Sequence, residues 1–105
     1  MTSVEIRRVE TNKKQYLALL LLADEQEDMI DRYLERGSMY VLEDDGVKAE
    51  CVVTDEGGGV LELKNIAVEP DFQGKGYGKA LVDFLIRTYA GQYMLCLLYT
   101  SDAAD

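Results

Sequence analysis

The sequence predicts one α+β domain of three-layer α/β type, built on a mixed, mainly antiparallel sheet in the order β-α-α-β-β-β-α-(β). Three observations carry that prediction. A chain of 105 residues, 48% hydrophobic and 30% charged, supports one modest core and no second domain. Runs with helix periodicity and runs with strand alternation succeed one another in the stated order. Two glycine-bearing turns, Asp45-Gly46 and Glu56-Gly57-Gly58-Gly59, join consecutive strand-like runs and so make them antiparallel neighbours.

Taken in order, Val4–Val9 alternates imperfectly and reads as a strand, with Thr11 or Asn12 as the cap of a leucine-rich helix reaching about Ala23. Asp24, with Glu27 three residues on, resembles an acidic capping box for a second helix ending before Gly37 at its C′ position. Met29, Ile30, Tyr33 and Leu34 form its apolar stripe, and Asp28 and Arg32 stand at the spacing of an ion pair. Met39–Leu42 and Val47–Thr54 are strands on either side of the Asp45-Gly46 turn. In the strand Val60–Val68, alternation places Leu61, Leu63, Asn65 and Ala67 on one face and Glu62, Lys64, Ile66 and Val68 on the other. Pro70 stops it. A third helix, from Gly76 to about Ala90, carries Leu81, Val82, Leu85, Ile86 and Tyr89 on one side and closes at Gly91.

The charge balance of 11 bases against 20 acids, net −9, argues against sequence-independent binding to nucleic acid or to an anionic membrane. Cationic partners suit it better. No stretch approaches the roughly 20 apolar residues of a membrane span. Met1–Glu10 has no apolar signal core, so the cytoplasm is the expected location. Cys51 and Cys96 have no metal or redox spacing and read as small buried apolar residues. The absence of histidine excludes histidine triads, ligands and proton shuttles, and no metal site is expected.

The densest chemical signal is the run Gln73-Gly74-Lys75-Gly76-Tyr77-Gly78-Lys79 between a strand and a helix. The first amides of a helix lack internal partners and carry a partial positive charge, which suits a phosphate. Lys75 and Lys79 add cationic side chains, and the three glycines let an anion approach the backbone. The spacing matches neither the G-x-G-x-x-G dinucleotide turn nor the P-loop. A plain strand–helix turn is the alternative.

Those residues, preceded by Leu63-Lys64-Asn65-Ile66-Ala67-Val68-Glu69-Pro70, resemble the acetyl-CoA signature of the GNAT-type N-acetyltransferases, Gln/Arg-x-x-Gly-x-Gly/Ala, at Gln73, Gly76 and Gly78. The strand and helix order from Val4 to Ala90 is similar to the first two thirds of that family. The resemblance implies that main-chain groups of Ile66, Ala67 and Val68 bond the pantetheine arm of acetyl-CoA. Backbone amides of Gln73, Gly74, Lys75, Gly76, Tyr77, Gly78 and Lys79 would cradle its pyrophosphate, with the Tyr77 ring packing against the cofactor. It also implies direct transfer of an acetyl group from the thioester to a primary amine on a small molecule or peptide, with no covalent enzyme intermediate.

An alkylamine of pKa about 10.4 must first lose a proton, a deficit of roughly 4.6 kcal/mol at neutral pH. By resemblance to histone-acetylating members, Glu62 is the candidate general base, with the same separation from the loop glutamine. A solvated strand carboxylate facing Lys64 is the plain alternative, and a water chain could remove the proton instead. A backbone N–H near Ile66–Val68 would serve the developing oxyanion.

The family continues past the third helix with a splayed strand, a further helix that often carries a general-acid tyrosine, and two closing strands. Met94–Tyr99 is apolar enough for the splayed strand. Cys96–Asp105 looks like translated sequencing-adapter sequence, so residues 1–95 are expected to form a partial N-acetyltransferase domain and 96–105 a non-native tail. Tyr99 is not expected to serve as the general acid. A sheet stopping there would present an edge open to pairing with a second copy as a homodimer. A non-catalytic acyl-CoA-binding module, or an inactive fragment, is the alternative to an enzyme.

Overall fold

The alternating run Glu5–Val9 forms β1, and a 3-10 turn at Lys13–Tyr16 leads into the leucine-rich α1, Leu17–Ala23. Then come α2 (Glu27–Tyr33), β2 (Ser38–Glu43), β3 (Val47–Gly57), β4 (Val60–Val68), α3 (Tyr77–Thr88) and β5 (Tyr93–Cys96). The computed structural model describes residues 4–96; of the tail expected to be non-native, only Cys96 falls within them. The sheet order is β1-β2-β3-β4-β5, antiparallel as far as β4, with β5 parallel to β4. Element order and sheet type agree with the sequence expectation.

Because successive side chains of a strand point to opposite faces, the sheet has two cores. On one face α1 and α2 bury Leu20, Ile30, Tyr33 and Leu34 against Val9, Met39, Val41 and Val52. On the other, α3 lays Leu81 and Leu85 against Tyr40, Leu42, Ala49, Cys51, Val53 and Leu63. Tyr40 anchors this second layer: its ring meets Phe84 edge-on at 5.0 Å, and its hydroxyl lies 2.7 Å from that of Tyr89.

The β3–β4 ladder corrects the expected facing of β4. Val52 pairs with Asn65 but Val53 pairs with Leu63, which leaves Lys64 as the extra residue of a β-bulge. One extra residue reverses the alternation. Leu63 therefore packs under α3 with Ile66 and Val68, whereas Asn65 faces α1 and α2 and donates to Leu20 O and Tyr33 Oη.

The helical hairpin also departs from expectation. Asp24 ends α1 rather than boxing α2: Oδ2 accepts from Tyr33 Oη and Oδ1 from the Gln26 amide. Met29 lies outside the apolar stripe, exposed, because α2 turns only Ile30, Tyr33 and Leu34 into the core. Asp31 pairs with Lys14, and among the described residues no Asp28–Arg32 pair forms. Gly37 is required by close approach: a Cβ there would stand 2.7 Å from Val52 Cγ1 and 2.9 Å from Tyr33 O. Lys13 is buried, its ammonium donating to the carbonyls of Leu34, Glu35 and Gly37 at 2.9, 3.2 and 2.7 Å. It thus fills the C-terminal end of α2 where carbonyls lack helical partners. Cys51 is buried as expected, and Cys96 is exposed.

Candidate functional site

Beyond the bulge, β4 offers backbone that no described strand covers. β5 pairs with Val60–Leu63, and along Lys64–Val68 the edge away from β3 carries no ladder among the described residues. In an antiparallel strand alternate residues turn their N–H and C=O outward, so this edge can receive an extended amide-bearing ligand as an added strand.

The same strand delivers the chain to the glycine turn. A 3-10 turn at Pro70–Phe72 is closed by Phe72 N–H to Glu69 O at 2.8 Å. The Gln73 side chain reaches back to Val68 O at 3.2 Å. Gly74 and Gly76 then adopt left-handed backbone, φ 82° and 87°, and Gly76 stands at the N-cap of α3 with no side-chain cap. The first bond of the helix runs from Ala80 N–H to Gly76 O, so the amides of Tyr77, Gly78 and Lys79 have no intrahelical acceptor. Three free donors, a helix dipole and an open face meet at one point.

The glycines do not all serve the same purpose. A Cβ on Gly74 or Gly76 would meet nothing within 4 Å, so dihedral angle demands glycine there. Gly78 has ordinary helical backbone, and its Cβ would sit 3.6 Å from Val68 Cγ2 in ordinary contact. Lys75 has no carboxylate partner among the described residues; Lys79 pairs with Asp83 at 2.8 Å, one helical turn on.

The β2–β3 hairpin braces this loop, which sequence reasoning missed. Tyr77 Oη donates to Asp44 Oδ2 at 2.5 Å, and the carboxylate raises the phenol's pKa above its ordinary value. Lys48 Nζ lies 4.6 Å from the Phe72 ring centroid, and Lys48 O accepts the Glu69 amide at 2.8 Å. Asp44 and Tyr77 stand 33 residues apart, and only the hairpin brings them together.

Glu62 lies before the bulge, at the other end of β4 from Gln73, roughly 20 Å from Val68 at strand rise. Its side chain is 16% exposed and pairs with Lys64 Nζ at 3.0 Å. It is opposite Thr54 in the ladder, on the α1–α2 side of the sheet. The expected residues thus divide into a loop cluster, Gln73–Lys79, an open strand edge at Ile66–Val68, and a carboxylate further along that strand. A 310 Å³ depression between α3 and β5, lined by Leu85, Ile86, Tyr89 and Met94, lies at the far end of α3 from the glycine turn and holds none of these residues.

A strand edge without a partner among the described residues thus adjoins a bare helix N-terminus, and the two offer backbone donors and acceptors side by side. The family model described as "Acetyltransferase (GNAT) domain" matches residues 35–105. An uncharacterized N-acetyltransferase of Bacillus subtilis, YvbK, is 43% identical over 74 residues, covering 70% of this chain and 47% of its own length. Among solved structures, an IAA acetyltransferase from Bacillus cereus superposes with TM-score 0.75 at 38% identity, over 85% of this chain and 59% of that one. A Bacillus subtilis acetyltransferase in complex with CoA gives 0.76 at 35% identity, over 83% of this chain and 58% of that one. The chain belongs to the GNAT acetyltransferase family. It spans about half the length of the curated relative and somewhat more of the solved ones.

Proposed function

We propose that this chain carries the acetyl-CoA-binding part of an N-acetyltransferase that moves an acetyl group from the CoA thioester to a primary amine by direct attack. The observation that carries the reading is the continuity of the open β4 edge at Ile66–Val68 with the uncapped amides of Tyr77–Lys79. Bound there, acetyl-CoA supplies an activated acyl group. The residues present fit it: the strand edge matches the pantetheine amides, and the glycine turn leaves backbone donors facing a pyrophosphate.

Within this reading Glu62 accepts the proton of the attacking amine. Its carboxylate is screened from bulk water yet reachable beside Lys64. The net charge of −9 favours a cationic acceptor, whether a small polyamine or a lysine-bearing peptide. Residues 1–95 form the domain portion in this reading, with the following residues outside it.

Gly78→Asp separates binding from folding. Its backbone is compatible with a side chain, and an acid in the first turn favours the helix. The added carboxylate brings a negative charge into the first turn of α3, where it repels a phosphate. Calorimetry should therefore give acetyl-CoA binding to the unsubstituted chain and none to Gly78→Asp, with melting temperature unchanged or raised in the variant. A folded chain that binds no acetyl-CoA contradicts the proposal.

A further inference from the structure

Glu50 lies in the middle of β3 with a fully buried side chain, and neither carboxylate oxygen has a hydrogen-bond partner. Its neighbours across the strands are Val41 of β2 and Ala67 of β4. One other buried side-chain atom among the described residues is orphaned in the same way, Oδ1 of Asn65. Asn65 pairs with Val52, two residues along from Glu50, so Glu50 and Asn65 are diagonal neighbours on the α1–α2 face. The orientation of the Asn65 amide is chemically fixed: Leu20 O only accepts, so Nδ2 must face it, and Oδ1 must look elsewhere.

Two buried, unpartnered acceptors on diagonal neighbours would repel, whereas a carboxylic acid and an amide oxygen form a hydrogen bond. We propose that Glu50 is a neutral acid that donates its proton to Asn65 Oδ1, and that this bond makes Glu50 a positioning residue for the β4 segment 65–68. The role of that segment rests on the cofactor reading given above. Burial supports the neutral form by driving the carboxyl well above its ordinary range. Among the described residues the titratable groups coupled to it are Tyr33 from α2 and Cys51 on the same strand, and no Lys or Arg offsets the burial.

The bond completes a chain across the α1–α2 layer. Asn65 donates to Leu20 O and Tyr33 Oη, each at 3.0 Å, and Tyr33 donates to Asp24 Oδ2 at 3.2 Å. Past the bulge at Lys64, Asn65, Ile66, Ala67 and Val68 pair in unbroken register with Val52, Cys51, Glu50 and Ala49, so Asn65 is the first residue of the reversed facing. An Asn65 held from three sides anchors that register where it begins, and so helps hold the groups of Ile66, Ala67 and Val68 that face the open edge.

The test uses the whole 105-residue chain. Infrared spectra with labelled glutamate should show a protonated-carboxyl stretch at neutral pH that is lost in Glu50→Gln. Glu50→Gln retains an N–H donor and should bind acetyl-CoA as the parent does. Glu50→Met, similar in length with no donor, should bind about fivefold more weakly, the equivalent of one hydrogen bond, without melting at lower temperature. Because the buried acid has a raised pKa, its favourable contribution is complete below pH about 4.3 and is lost as pH rises toward the folded value. Glu50→Gln should then gain melting temperature relative to the parent at pH 7 and gain none at pH 4. Absence of the carboxyl band, or parental affinity in Glu50→Met, overturns the proposal. If the band is present but the parent chain binds no acetyl-CoA, the acid bridge stands, while the cofactor reading and the positioning role fall together.

Discussion

Lys13 shows what a single charge does when three carbonyls surround it. Lys13→Met would leave the carbonyls of Leu34 and Gly37 without the ammonium and should cost about 1–3 kcal/mol, read as a drop in melting temperature by circular dichroism. An unchanged melting temperature would show that water replaces the ammonium without loss. The Asp44–Tyr77 bond makes a different prediction, because it braces a loop. Asp44→Ala and Tyr77→Phe should each weaken acetyl-CoA binding, and the double variant should be no weaker than the worse single one. Additive losses in calorimetry would mean that the two act separately. Glu62→Gln should lower thiol release with a primary amine about a hundredfold, the low end for a general base, at unchanged acetyl-CoA affinity. An unchanged rate would remove Glu62 from the chemistry.

At the scale of elements, the loop was legible because everything it needs is local. Gln73, Gly76 and Gly78 sit within six residues, and the strand before and helix after them follow from Pro70 and from the Leu81, Leu85 period. The bulge at Lys64 was not legible, since it exists only in the pairing of β4 with β3, and it reversed the facing of Leu63 relative to Asn65. Asp44 was missed because its partner lies 33 residues on. Glu50 did leave a signal: a lone acid between Ala49 and Cys51 in a run bounded by two hairpin turns. Met29 was misplaced because α2 exposes the edge of its stripe. The loop geometry predicts that Gly76→Ala, at φ 87°, weakens acetyl-CoA binding in calorimetry by shifting the N-cap, whereas Gly78→Ala, in ordinary helical backbone, disturbs the fold little. Equal effects of the two on melting temperature would contradict the distinction.

Across the whole molecule, the open strand edge, the glycine turn and the carboxylate Glu62 are strung along β4 and the turn that follows it. α3 packs on one face of that strand, and α1 and α2 on the other. The open edge runs from the helix N-terminus back to Lys64, and Glu62 lies just beyond it, where β5 pairs with the strand, in a chain that is otherwise strongly acidic. The most direct measurement is an amide chemical-shift titration of the 105-residue chain with acetyl-CoA. The account predicts perturbations concentrated at Ile66–Val68 and Gly74–Lys79. Perturbations centred instead on Leu85, Tyr89 and Met94, or none in a folded chain, would contradict it.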